Sequence, residues 1–377
     1  MGDLGTIITG NTPPRSRPEL YGSHTPFVKA TDISENEKYT YNPEEGYSEE
    51  GYKKYIKSLV PKGSTCVVTI GSIGKKMTMA HCDLFINQAM NAIIPFPNFD
   101  KDYVYYAVRN VLSNIKALDS GTASGRENVS KSAFSRMKVI IDDDLLIQKR
   151  IATTLSRYDS LIDNYQKQIK LLEEAAQRLY KEWFVKLRFP GHENTKIVDG
   201  VPEGWEKKSV GDMLRRMERT KQIPSNEYLK RGEIPVIDQS RNFVAGYTND
   251  EDSRLKVTTP VILFGDHTRV LKYLSFSFAR GADGTQLIMS NDIDRLPQSL
   301  FYNALVEKDL SNYSYARHFK YLKAEQILVP TKEIAQKFDT FAAKIYEQIQ
   351  SCRHQLRLLT ESRDRLLPKL LSGEIEV

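Results

Sequence analysis

Residues 151–184, IATTLSRYDSLIDNYQKQIKLLEEAAQRLYKEWF, decide how the chain is organised. Their apolar side chains Ile151, Leu155, Tyr158, Ile162, Tyr165, Ile169, Leu172, Ala176, Leu179 and Trp183 fall at alternating steps of four and three. That spacing predicts an α-helix with a narrow apolar seam of the kind that meets a second helix. Charged residues such as Arg157, Asp163, Lys167, Glu173 and Arg178 fill the remaining positions. Asp142-Asp143-Asp144 supplies carboxylates where a helix starts, and Pro190-Gly191 is expected to end it.

The same pattern returns near the C-terminus at a constant offset of 187 (338 − 151). Phe338, Ala342, Ile345, Ile349, Cys352, Leu356, Leu359, Leu366 and Leu370 repeat the first seam, and the one break is Arg363 opposite Ala176. Residues 137–141 and 326–329 are strand-like runs ahead of the two helices, while Pro368 and Gly373 limit the second helix. Each narrow seam needs a partner, and the other helix is the nearest candidate. Residues 151–183 would then form a rod of about 50 Å.

The segments before the helices are related as well. Leu4-Gly5 corresponds to Val210-Gly211, residues 25–28 to 233–237, and Gly71-Ser72-Ile73-Gly74 to Gly265-Asp266-His267-Thr268. The first of these pairs is offset by 206 (210 − 4), so the first segment has 206 − 187 = 19 extra residues, expected within the tyrosine-rich tract 39–59. Short β-branched and aromatic runs among Gly, Pro and Tyr read as mixed α/β, of the α+β kind. The expected plan is a globular domain at 1–144, a helix at 145–190, a second globular domain at 191–330 and a second helix at 331–377.

Composition sets the limits on function. The chain has 377 residues, 40% hydrophobic and 27% charged, which suits globular domains with real cores. Lys and Arg exceed Asp and Glu by six, a balance that permits nucleic-acid binding without demanding it. No apolar run has the ~20 residues that cross a bilayer. Three scattered cysteines, Cys66, Cys82 and Cys352, argue for a reducing compartment, so a cytoplasmic location is expected.

Four motifs bear on chemistry. VVTIGSIGKK, residues 67–76, runs from a strand into glycines and lysine. A phosphate-cradling loop needs glycine where Thr69 stands and Ser or Thr where Lys76 stands, so a tight turn is the better reading. Asn11-Thr12-Pro13-Pro14-Arg15 has Thr12 where a base-flipping methyltransferase needs Pro directly after Asn, and Arg15 where it needs an aromatic ring. Asp199 with Glu206-Lys207-Lys208 matches a nuclease trio, but a chain this charged produces such trios by chance. The histidines show no paired zinc spacing.

In combination the chain resembles the specificity subunits of type I restriction–modification enzymes. The resemblance rests on LGTIITGNTPPR (4–15), YGSHTPFVKATDI (21–33), INQAMNAIIP (86–95), the helix at 147–184, VPEGWEKKSVGD (201–212), LFGDHTR (263–269) and RDRLLPKLLSGEIEV (363–377). It covers nearly the whole chain. One departure is that the second domain has the Pro202-Glu203-Gly204-Trp205 lead-in, whereas the first starts almost directly at Leu4-Gly5. Either the chain begins late or N-terminal residues are absent.

The resemblance implies two target-recognition domains that read the halves of a split double-stranded DNA site. The two helices would pair as an antiparallel coiled coil and set the spacer. Two modification subunits would methylate adenine with S-adenosylmethionine, and restriction subunits would use ATP and Mg²⁺, leaving this chain without cofactor, metal or catalysis of its own. The alternatives are a self-contained methyltransferase or nuclease, and a coiled-coil scaffold without a DNA role. Cations for phosphates and amides for base edges then select Arg15, Arg17, Lys29, Thr31, Lys75, Lys76 and Arg126 in the first domain. In the second they select Gln239, Arg241, His267, Arg269 and Arg280, with Arg317 and Lys320 as weaker candidates.

Overall fold

Asp144 starts the first long helix as its position suggests, its carboxylate accepting from Leu146 N at 2.7 Å and its carbonyl from Gln148 N at 2.9 Å. In the computed structural model, described for residues 1–377 apart from 36, 122–126, 218–219, 283 and 313–316, the chain divides into two units. Unit 1 comprises residues 1–166 and 354–377, and unit 2 comprises residues 167–353. Among the described residues no helix is long and apolar enough to cross a membrane.

Unit 1 contains β1 (Gly5–Thr9), β2 (Tyr21–Val28), β3 (Glu45–Tyr47), α1 (Glu49–Tyr55), β4 (Thr65–Val68), β5 (Met77–Met79), β6 (Phe85–Ile86), β7 (Met90–Pro95), α2 (Lys101–Asn110) and α3 (Lys131–Arg136). The helix α4 (Leu145–Tyr180) leads out of it. Four strands form an antiparallel sheet in the order β1-β7-β4-β5, and three more lie as β3-β2-β6 with β2 and β6 parallel. Every residue of β4 is buried, as its run of β-branched side chains leads one to expect.

Unit 2 contains β8 (Ile197–Val198), β9 (Val201–Pro202), β10 (Glu206–Ser209), β11 (Gln222–Ile223), β12 (Ile234–Ile237), β13 (Gly246–Thr248), β14 (Arg254–Leu255), β15 (Val261–Gly265), β16 (Leu271–Leu274), β17 (Phe278–Gly281) and β18 (Thr285–Ile288). It continues with α5 (Gln298–Val306), α6 (Phe319–Ala324), β19 (Gln326–Val329) and α7 (Lys332–Leu371), which runs on into unit 1. The three-stranded sheet β16-β15-β18 answers to β5-β4-β7, and the parallel pair β12 and β17 answers to β2 and β6.

Both units contain part of α4 and part of α7. In unit 1, Ile151 and Leu155 share a core with Leu367 and Leu370, and Asp159 meets Arg363. In unit 2, Glu173 meets Arg353 and Trp183 lies edge-on to Phe338 at 5.8 Å. Within either unit, contacts move down α7 as they move up α4, so the two segments run antiparallel. None of the seam positions is exposed: Tyr158, Tyr165, Ile169, Leu172, Leu179, Ile345, Leu356, Leu359 and Leu366 are half-buried and the rest are buried.

Four sequence readings change. The seam is wider than two residues in seven, because Asp159, Tyr180, Tyr346 and Leu367 are buried too: each helix packs on its own globular unit as well as on the other helix. The first helix ends before Pro190; a π-helical turn at Lys181–Val185 follows Tyr180, and Leu187 reverses the chain with φ +57°. Residues 137–141 are not a strand. Their counterpart β19 pairs with β10, whereas Met137 carbonyl is met by the Met1 amine at 2.6 Å, and a strand needs a neighbouring ladder. The extra residues of unit 1 are not confined to 39–59: they also lengthen the β2–β3 connection (29–44 against 238–245) and the stretch between α2 and α4 (111–144 against 307–331).

Candidate nucleic-acid interface

Parallel strands end on the same side, so the loops that leave them are gathered without further instruction. In unit 2, Ile237 on β12 pairs with Arg280 on β17, which puts residues 238–241 beside Arg280. The β15–β16 turn arrives at the same place. His267 N donates to Gln239 Oε1 at 3.1 Å, Thr268 Oγ1 donates to Gln239 carbonyl at 2.6 Å, and Asp266 N donates to Gly284 carbonyl at 2.6 Å.

Two glycines permit this crowding. A Cβ on Gly265 would stand 2.7 Å from Gln239 Cβ, and one on Gly284, at φ +64°, would stand 2.6 Å from the His267 ring. Asp266 is buried, and its carboxylate accepts from Phe319 N at 2.7 Å, tying the turn to the start of α6. With its amide oxygen turned toward β17, Gln222 on β11 accepts from Arg280 Nε at 2.8 Å.

The structure thus brings Gln239, His267 and Arg280 into one group, with Arg241 exposed on the adjoining loop. Arg269 lies apart from it. Its φ of +62° turns the side chain back, so that Nη1 donates to Leu310 carbonyl at 2.9 Å beside a cavity of about 380 Å³. Arg317 and Lys320 are exposed, the Lys320 ammonium 4.6 Å from the Tyr321 ring centre.

Unit 1 repeats the frame with other side chains. Lys29 and Thr31 follow β2, and Asn87 N, just beyond β6, donates to Val28 carbonyl at 3.1 Å. The β4–β5 turn carries Lys75 and Lys76, and Lys76 Nζ reaches Ala30 carbonyl at 3.3 Å. The turn is a reversal between antiparallel strands, with Gly71 at φ +89° and Gly74 at φ +74°. Lys75 is exposed and forms no ion pair among the described residues. Arg126 lies outside the described residues.

The other candidates in unit 1 are ion-paired. Arg15 meets Glu45 at 2.9 Å and lies over the Tyr21 ring, Arg17 meets Glu19 at 2.6 Å and Glu50 at 3.1 Å, and Lys29 meets Glu44 at 2.7 Å. Hydrogen bonds to those carboxylates hold the Arg15, Arg17 and Lys29 pKa values above their ordinary ranges. Exposed pairs of this kind are weak because water screens them, so exchanging a carboxylate for a phosphate costs little.

Sequence reasoning passed over Gln222 and Thr268, whose roles depend on which strands lie side by side. It also passed over the exposed pair Arg215-Arg216, where Arg215 N donates to Met289 carbonyl at 2.7 Å. That basic doublet was visible, but no motif marked it. Two buried oxygens, Asn87 Oδ1 and Ser240 Oγ, have no hydrogen-bond partner among the described residues and sit in these loop groups, one per unit. Among the described residues no group of three or more His, Cys, Asp and Glu could hold a metal ion. Glu206 of the nuclease-like trio is engaged by Arg295 and Lys208.

Comparison with known proteins adds a name to this frame. Residues 1–174 match the family model described as the type I restriction modification DNA specificity domain. The type I restriction enzyme MjaIX specificity subunit of Methanocaldococcus jannaschii is 27% identical over 100% of this chain and 92% of its own length. The HindI specificity subunit of Haemophilus influenzae is 28% identical over 42% of this chain and 35% of its own. A solved S subunit of a type I restriction–modification system from M. genitalium superposes with a TM-score of 0.57 at 17% identity, over 98% of this chain and 94% of that one, and speaks for the fold.

Proposed function

We propose that this chain is a specificity subunit of the type I restriction–modification family and reads a bipartite double-stranded DNA target with one unit on each half-site. The observation that carries the reading is the duplicated frame. In each unit a parallel strand pair and a hairpin turn gather polar loops at one place, and those loops differ: Lys29, Thr31, Lys75 and Lys76 in one, Gln239, Arg241, His267 and Arg280 in the other. Amides and cations on a shared scaffold suit base-edge and phosphate contacts, and different residues suit different half-sites.

In this reading α4 and α7 set the separation of the half-sites. The chemistry belongs to other subunits: two modification subunits that methylate adenine with S-adenosylmethionine, and restriction subunits that consume ATP with Mg²⁺. Leu161, Leu171, Phe341 and Leu358 lie exposed on α4 and α7, and apolar side chains in such positions suit helices that other subunits cover. The assembly would work in the cytoplasm, where DNA and reduced cysteines coexist.

The test combines the chain with its modification subunit and maps methylated adenines in genomic DNA. One bipartite motif is the expected result, and methylation by this chain alone would overturn the reading. Removing one heptad from both helices should change the spacer and leave both half-sites intact. A change in the half-sites would sink the ruler.

A further inference from the structure

We infer that unit 1 holds the DNA backbone in a second place, a basic groove formed by Lys54, Lys57 and Lys131, which has no counterpart among the described residues of unit 2. The inference rests on the DNA-reading function proposed above and adds to it a phosphate clamp that carries affinity without sequence. The groove is a concavity of about 440 Å³ floored by Thr9 and Asn11 at the end of β1 and walled by Tyr55.

Lys54 is the last lysine of α1, and Lys57 lies three residues on, in the 3₁₀ turn Ile56–Ser58, so both fall on one face. Lys131 comes from another part of the chain, as the first residue of α3. All three are exposed, and among the described residues none forms an ion pair. The acids near them are already engaged: Glu49 by Lys53 at 2.6 Å, Glu19 and Glu50 by Arg17 at 2.6 and 3.1 Å, and Glu127 by Lys116 at 3.0 Å. Three like charges around one concavity therefore lack an ion-pair partner of their own among the described residues, Lys54 sharing with Arg17 the field of Glu19, and a polyanion is the ligand that relieves their repulsion.

The groove also lies at the end of unit 1 where the recognition loops gather. Asn11 N donates to Ile86 carbonyl at 3.0 Å, and Gly10 N donates to Met90 carbonyl at 3.1 Å. Asn87, between those two acceptors, donates to Val28 just before Lys29. Val129 N, two residues ahead of Lys131, donates at 2.8 Å to the carbonyl of Thr69, whose own N–H binds Ala89 at 2.9 Å. One turn, residues 87–90, thus ties the groove's floor and its Lys131 wall to the loops that carry Lys29 and Lys75. A duplex seated on those loops passes within reach of the lysines, whereas a small anion would have no reason to span both.

Among the described residues, unit 2 has no equivalent set. Its chain between β13 and β14 makes only the acidic turn Glu251–Ser253, and α6 begins with Phe319, packed against Phe264 at 6.1 Å, where α3 begins with Lys131. Unit 1 is thereby the half that anchors.

The experiment measures binding of the full chain to a duplex bearing its methylation motif, and to a scrambled duplex, by fluorescence anisotropy across a salt series. Lys54→Gln/Lys57→Gln/Lys131→Gln should weaken binding to both duplexes by similar factors. It should also reduce the slope of log K against log salt by about 2–3, roughly 0.9 for each phosphate that is no longer neutralised. Arginine at the three positions should restore the slope, and Lys53→Gln, a paired neighbour, should leave it unchanged. Circular dichroism melting checks that each variant is folded. An unchanged slope in a folded triple variant, a selective loss for the motif duplex, or full competition by millimolar inorganic phosphate would each overturn the clamp. If the unsubstituted chain does not discriminate the two duplexes, the half-site reading fails, while the slope still judges the clamp.

Discussion

At the position where α7 carries Arg363, α4 one repeat earlier carries Ala176, and the two sites solve the same packing problem with different chemistry. By the 187-residue offset Asp159 corresponds to Tyr346, so unit 1 has an Asp–Arg pair where unit 2 has Tyr–Ala. Arg363 is fully buried, with Nη1 at 2.6 Å from Asp159 and Nη2 at 2.8 Å from Asp364. The second Asp159 oxygen accepts from the Tyr106 hydroxyl of α2, whose pKa burial and that carboxylate push up. Burial opposes the guanidinium charge, but Asp159 and Asp364 outweigh it and hold the Arg363 pKa above its ordinary value. In unit 2, Ala176 leaves room for Tyr346 to stack on Tyr273 at 4.4 Å and to meet Tyr302 edge-on at 5.4 Å.

The difference lies in what each junction tolerates. Stacked rings against a small residue accept modest sliding at the cost of buried area. A buried arginine accepts one register only, because a shift along the helix takes its guanidinium from Asp159 and leaves that buried carboxylate without its charge partner, Asp364 moving with the arginine. The break in the heptad pattern is therefore the position that fixes how α4 and α7 align within unit 1.

The molecule offers a way to read the junctions separately. Its two tryptophans, Trp183 and Trp205, are both buried in unit 2, so their fluorescence follows that unit while circular dichroism follows both. The largest effect is expected for Arg363→Ala, which strands the buried Asp159. The loss should be about 3–5 kcal/mol in the circular dichroism transition, with the tryptophan transition almost unmoved. The double variant Asp159→Leu/Arg363→Leu should recover most of that stability, to within about 1 kcal/mol. A double variant as unstable as the single one would show that the pair contributes more than charge balance.

A second, smaller effect belongs to unit 2. Lys272 on β16 is buried, its ammonium bonded to Asn242 carbonyl at 2.5 Å, and burial lowers its pKa to about 8 against some help from Asp238. The folded state then binds fewer protons than the unfolded chain between about pH 8 and about pH 10.4, so stability should rise across that window. From pH 8 to pH 10 denaturation followed by tryptophan fluorescence should gain about 2 kcal/mol more stability in the unsubstituted chain than in Lys272→Met, in which the buried tyrosines Tyr273, Tyr302 and Tyr346, their pKa values raised by burial, act in the opposite sense. The same pH dependence in both chains would assign it to groups other than Lys272.

The smallest effect tests a half-buried ion pair, in which burial raises the Glu173 pKa and lowers that of Arg353. Glu173 meets Arg353 at 2.8 Å, but the Glu173 side chain is 43% exposed. Glu173→Gln should move the tryptophan transition by no more than about 1 kcal/mol. A loss as large as that of Arg363→Ala would erase the contrast between the junctions.

Much of this organisation was legible in the chain itself. A seam at three-and-four spacing has one structural meaning, and its return 187 residues later exposed the duplication. The glycines of residues 71–74 gave a reversal, because positive φ there is cheap only for glycine. The binding loops were legible in part. Lys75 and Arg241 are exposed, but Arg15, Arg17 and Lys29 are ion-paired and Arg269 folds back, since a sequence does not tell which carboxylate lies across a loop. Lys54, Lys57 and Lys131 could not be grouped at all, because Lys131 is 74 residues (131 − 57) beyond its nearest companion.

By itself, then, the sequence determined what depends on local periodicity: two seamed helices, the start of the first at Asp144, the glycine reversal at residues 71–74, and the repeat that relates the two halves. The tertiary structure alone decided what depends on encounters between distant segments. It paired Arg363 with Asp159 across 204 residues, and it widened the seams by packing each helix on a globular unit. It also ended β2, β6, β12 and β17 so that their loops meet. Periodicity is written residue by residue, whereas the partner of a buried charge or an exposed lysine is set by the path of the whole chain.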